Sequence, residues 1–119
     1  MIESNKSGFA SDIGQALAEN GGVEEAKEIA IKLIESNKSG FARDIGKVFA
    51  RDIGQALAEN GGVEEAKQIA MKLIEIKKGS YAIDIGEALA KNGGGEEAKE
   101  IAIKLIESCL LYTSDAADE

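Results

Sequence analysis

Histidine, tryptophan and proline are absent from this 119-residue chain, and cysteine occurs once. Without histidine there is no imidazole to shuttle a proton or hold a metal ion, and a single cysteine can form no internal disulfide. Aromatic residues number five, three Phe and two Tyr, so the core must come from Ile, Leu, Val and Ala. A core of that kind suits packed helices, and with no proline nothing interrupts them. Apolar runs approaching the roughly 20 residues of a membrane span are missing, as is a basic-then-apolar leader, so a soluble, cytoplasmic protein is the expectation. Positive charge is also scarce: 14 Lys and Arg stand against 22 Asp and Glu, a formal charge of −8. That balance argues against a surface built for phosphate backbones.

What the chain does have is repetition. DIGQALAENGGVEEAK occurs unchanged at Asp12–Lys27 and Asp52–Lys67, and DIGEALAKNGGGEEAK follows at Asp84–Lys99. Each unit reads as a helix pair. In helix A, Phe9, Ile13 and Leu17 recur at i, i+4 and i+8, with Ser11, Asp12, Gln15 and Glu19 on the opposite side. Asn20-Gly21-Gly22 ends it, because glycine takes the left-handed C-terminal conformation without steric cost. Helix B then opens with Glu24 and Glu25 against the positive end of the helix dipole and carries a broad apolar face from Ala26 to Ile34. Ser36–Gly40 offers a cap for the next helix A.

The first two copies start 40 residues apart and the last two 32, because Phe41–Val48 (FARDIGKV) is followed directly by Phe49–Ala56 (FARDIGQA). This tandem duplication adds eight residues to the second helix A, about 12 Å and two turns plus about 80°. Its apolar positions still form one slowly turning stripe, which predicts an elongated helix of roughly 20 residues. The extra turns are expected to overhang the stack, with Arg43 and Lys47 on a projecting basic edge and Phe41 and Ile45 left as an apolar patch open to self-association. Inward positions are expected at Ile13, Leu17, Ala26, Leu33, Ile53, Leu57, Ala66, Leu73, Ile85, Leu89, Ala98 and Leu105.

The pattern Ile13-Gly14, Leu17, Gly21 and Ala26, repeated at Ile53-Gly54, Leu57, Gly61 and Ala66 and at Ile85-Gly86, Leu89, Gly93 and Ala98, resembles that of tetratricopeptide-type repeats. The resemblance runs over Ile2–Ser108. It departs from the family in its 32-residue period and in Ala10 and Ala30, where large aromatics are common, so related helical-hairpin repeats are also compatible. It implies an all-α fold, an α-solenoid of three antiparallel hairpins (units about 2–33, 34–73 and 74–108), and a non-catalytic protein-interaction scaffold. In such arrays helix A lines the concave surface, which carries the partner-facing role onto Ser11, Gln15 and Glu19, onto Arg51, Gln55 and Glu59, and onto Ile83, Glu87 and Lys91. A protein or peptide is the implied partner, with no cofactor and no metal. Two other readings stand beside it: a structural or regulatory segment of a larger enzyme, and a helical-repeat reader of nucleic acid, which the acidity disfavours.

Other motifs yield less. Gly93-Gly94-Gly95 lacks the Lys-Ser/Thr of a phosphate loop, and Asn-Gly-Gly-x-Glu-Glu lacks the spaced acids of a calcium loop. Glu28 with Lys32 and Glu100 with Lys104 suggest solvated i, i+4 pairs. Ile2–Ala10 repeats Ile34–Ala42, so the chain reads as a piece of a longer array whose unfinished ends could self-associate. Cys109–Glu119 (CLLYTSDAADE) matches no part of the repeat and resembles the translation of a sequencing adaptor, a tail expected to pack poorly.

Overall fold

Each Asn-Gly-Gly ends a helix in the same way. Gly21, Gly61 and Gly93 have φ of 95°, 96° and 96°, a left-handed conformation open to a residue without Cβ. The next amide donates back into the helix: Gly22 to the Leu17 carbonyl at 2.8 Å, Gly62 to Leu57 at 2.8 Å and Gly94 to Leu89 at 2.7 Å. The asparagine side chains satisfy a further carbonyl each, Asn20 donating to Ala16, Asn60 to Ala56 and Asn92 to Ala88. A fourth closure of this type has Lys77 in the left-handed position, φ 67°, with Lys78 donating to the Leu73 carbonyl at 2.8 Å.

The computed structural model describes the backbone of residues 2–35 and 45–112 and the side chains of residues 8–35 and 45–108. Within these residues the chain is all-helical: α1 (Ile2–Glu19), α2 (Val23–Glu35), α3 (Ile45–Glu59), α4 (Val63–Glu75), α5 (Gly79–Lys91) and α6 (Gly95–Tyr112), with no strand. Every helix packs on the next in sequence, and α1 on α3, α2 on α4, α3 on α5 and α4 on α6 as well. Two rows result, α1-α3-α5 and α2-α4-α6, in a slab of 47 × 37 × 16 Å. Among the described residues no helix is long and apolar enough to cross a membrane.

Glycine brings the first row together. A Cβ on Gly14 would stand 2.5 Å from Ile53 Cδ1, and one on Gly54 2.6 Å from Ile85 Cδ1. Each isoleucine therefore occupies the space left by the glycine one unit earlier. The second row contributes Val23 against Gly62 and Val63 against Gly94. Ile53, Leu57, Ile69, Leu73, Ile85, Leu89 and Ile101 are fully buried, with alanines between them.

Several expectations change. Ile13, expected inward, is 57% exposed, because no helix of the described chain lies on that side of α1. Leu17, Ala98 and Leu105 are half-buried for the same reason of position, on the outer helices. Residues 4–8, whose sequence repeats the Ser36–Gly40 cap region, belong to α1. Their counterparts Ser36–Gly40, like Phe41 and Arg43, lie outside the described residues, as do residues 113–119 of the tail, while α6 runs on to Tyr112. The duplicated segment from Ile45 onward is continuous with α3, but it does not overhang. Gly46 lies against the Leu33 carbonyl of α2, Lys47 is 7% exposed and Ile45 is half-buried. Of the residues expected to project, the described ones, Ile45 and Lys47, are thus at least half-buried.

Gly86 has only ordinary contact, 3.5 Å from its notional Cβ to Ile101 Cγ2. Gly54→Ala should therefore destabilise by about 1–3 kcal/mol through overpacking against Ile85, after a partial offset from alanine's better helix propensity. Gly86→Ala should instead stabilise by up to about 1 kcal/mol. Urea denaturation of the two variants tests this; shifts of the same sign and size would contradict it.

Candidate partner-binding surface

The nine helix-A positions lie on the α1-α3-α5 row, but they do not present themselves equally. Ser11 is 2% exposed, and its hydroxyl accepts a hydrogen bond from Gln15 Nε2 at 3.1 Å. It was expected on the polar side; it forms part of the wall behind Gln15. Gln15 and Gln55 are half-buried, while Glu19, Glu59, Glu87 and Lys91 are exposed. Ile83 is 45% exposed, an apolar side chain at the position where the previous unit has Arg51.

Arg51 is the most engaged of the nine. Its guanidinium donates to Asp84 Oδ2 at 3.1 Å and to Asp52 Oδ1 at 3.1 Å, with the carbon of the guanidinium 5.7 Å from the centre of the Tyr81 ring. Two carboxylates and an aromatic face thus hold one cation that is only partly solvated, its side chain 26% exposed. These partners were not anticipated from the sequence. The signal was there: Asp84 follows Arg51 by one 32-residue period and one further residue. The same offset joins Lys67 of α4 to Glu100 of α6 at 2.9 Å.

Around Lys67 the hydrogen bond to Glu100 pushes the ammonium above the ordinary lysine range. Loss of hydration opposes this, and the charges of Glu100 and Glu64 add to it. Within helices, Lys27 pairs with Glu24, Lys67 with Glu64 and Lys99 with Glu96 at i, i+3, beside the adjacent pair Arg51 and Asp52. Lys72 of α4 reaches Glu35 of α2 at 3.5 Å, linking the second row.

A shallow depression runs along the open side of α2, lined by Glu24, Glu28, Lys32 and Glu35 with Ile29 and Ile31. It lies on the second row, away from the nine positions. Among the described residues no group of three or more His, Cys, Asp or Glu side chains is arranged to hold a metal ion. Comparison with protein families, with curated proteins and with solved structures finds no match to this chain.

Two outcomes follow for the charged clusters. Arg51→Ala should lower stability by on the order of 1 kcal/mol, and a double-mutant cycle with Asp84→Ala should give a coupling of about 0.2–1 kcal/mol, as for partly exposed pairs. A coupling of zero would show the contact to be idle. For Lys67 the raised folded-state pKa means that its stabilisation is fully present below the unfolded lysine value of about 10.4 and disappears as pH rises through the higher folded value. Melting temperature should fall more steeply above about pH 10 in the parent chain than in Lys67→Met.

Proposed function

We propose that the chain is a segment of an α-solenoid of three antiparallel hairpins that acts as a non-catalytic scaffold, taking an extended peptide along the surface formed by α1, α3 and α5. The observation that carries this reading is the asymmetry of the two rows. In the α1-α3-α5 row Ile53 fills the space at Gly14 and Ile85 that at Gly54, an approach that no helix-interior glycine provides in the described part of the α2-α4-α6 row. Closer spacing in one row bends a stack toward that row, so the glycine-lined row is the inner, concave one. Tetratricopeptide-type arrays, which the sequence resembles, use the same row.

The chemistry of the surface narrows the partner. Glu19, Glu59 and Glu87 are exposed there with Lys91, whereas the charge of Arg51 is already balanced by Asp52 and Asp84. Gln15 and Gln55 add amides that can pair with a peptide backbone. A peptide carrying Lys or Arg between small apolar residues, one of them resting on Ile83, is the complement.

Selection of peptides from a displayed random library, followed by amide-resonance mapping of the winner, tests the proposal. The expected result is enrichment of basic peptides, with shift changes concentrated in α1, α3 and α5. Glu19→Lys combined with Glu59→Lys should weaken binding by about tenfold, roughly 1.4 kcal/mol. Perturbations confined to α2, α4 and α6 would overturn the reading.

A further inference from the structure

The two open ends of the slab are copies of the two halves of its internal interfaces. On the α1 side, Ile13 occupies the repeat position of Ile53 and Ile85; those two are fully buried against Gly14 and Gly54, whereas Ile13 is 57% exposed. On the α5-α6 side, Gly86 occupies the position of Gly14 and Gly54; among the described residues it meets only Ile101, the counterpart of Ile29 and Ile69, and lacks the close neighbour that Ile53 and Ile85 provide at the other two glycines. Ile106, at the position of Ile34 and Ile74, is 59% exposed where those two are 4%. One end carries the inserting side chain, and the other carries the space that receives it.

The charges repeat the pattern. Inside the protein Lys67 pairs with Glu100 of the following unit, and Glu35 with Lys72 of the following unit. Moved on by one unit, these become Lys99 of the α6 end with Glu28 of the α2 end, and Glu107 with Lys32. All four are exposed. Lys99 has 61% of its side chain in solvent, against 17% for Lys27 and 21% for Lys67. The depression along α2, bordered by Glu28 and Lys32, lies where the α6 helix of a preceding copy would rest.

We propose that a second copy of this chain docks head to tail on the first, Ile13 of one copy entering the space at Gly86 of the other, with Lys99–Glu28 and Glu107–Lys32 ion pairs across the junction. The contact is heterologous, so each addition leaves a receptive face and assembly continues beyond two copies. It is weaker than the internal junctions. Gly95 stands where Val23 and Val63 make their contacts with Gly62 and Gly94, and Ile83 stands where Arg51 binds Asp84. This inference is independent of peptide binding on the inner surface.

Sedimentation velocity of the 119-residue chain from about 10 µM to about 1 mM should show a weight-average mass that rises past two chains without a plateau. Ile13→Glu and Gly86→Glu alter opposite ends at positions open in the single copy, and each alone should be monomeric with unchanged helicity. Mixed in equal amounts, they leave one intact junction and should give a species of two chains. Lys99→Glu or Glu28→Lys should each weaken association by about tenfold, and both swaps in one chain should restore it. A mass of one chain across the whole range would overturn the proposal. So would association indifferent to all four substitutions, a mixture that stays monomeric, or a double swap no better than the single ones.

Discussion

The insertion of one isoleucine into the space above one glycine, twice over, is the contact on which the rest of this structure depends. Ile53 Cδ1 at Gly14 and Ile85 Cδ1 at Gly54 stand 2.5 and 2.6 Å from where a Cβ would be, so a larger residue at either glycine would have to displace the isoleucine. Helix glycine costs about 1 kcal/mol relative to alanine. Burying an isoleucine completely returns roughly 1.5–3 kcal/mol, so the exchange is favourable wherever a neighbour is present. Because both contacts lie in the α1-α3-α5 row, that row is the tighter one. The same row holds Arg51 against Tyr81 and between Asp52 and Asp84 of the neighbouring helices α3 and α5.

The same contact explains how the stack tolerates eight additional residues. Phe41–Val48 lies N-terminal to Ile53 and Gly54, upstream of both interlocking positions of α3. The phase error of about 80° is therefore absorbed before the interface with α5 begins, and the 32-residue register resumes unchanged. Among the described residues, the segment meets α2 at Gly46. Gly46 lies against the Leu33 carbonyl, and any Cβ there would collide with main chain, which yields less readily than the end of a side chain.

The helices, their glycine turns and most of the core were legible in the sequence because each is a local pattern: apolar spacing of 3.6, Asn-Gly-Gly, paired glutamates at the start of α2, α4 and α6. Small residues within the apolar stripes pointed to close approach at Gly14, Gly54 and Gly86 alike; the first two show it, and Gly86 has only ordinary contact. Position along the stack was not legible. Ile13 and Ile53 sit in identical sixteen-residue contexts, yet one is 57% exposed and the other fully buried, since only one of them has a described helix beyond it. Lys47, expected on a projecting edge, is 7% exposed, a burial that helix phase alone does not place. On the candidate surface Glu19 and Glu59 are exposed and Gln15 and Gln55 half-buried, whereas the burial of Ser11 depends on packing between helices.

The ion pairs between units matter less for strength than for register. Exposed and partly exposed pairs contribute about 0–1 kcal/mol each, a small fraction of what the apolar contacts supply. Their offset is the informative part. Arg51 to Asp84 and Lys67 to Glu100 both span one period plus one residue. Were the third unit displaced by a single residue along its neighbour, Lys67 would face Lys99 and Arg51 would face Ile83. The first arrangement sets two ammonium groups together, and the second leaves the guanidinium beside an aliphatic chain with Asp84 out of reach and only Asp52 of its own helix to pair with. Apolar stripes of Ala, Ile and Leu tolerate such a displacement comparatively well, because one aliphatic residue replaces another. The charges penalise the wrong alignments and so convert an approximate apolar fit into a single one.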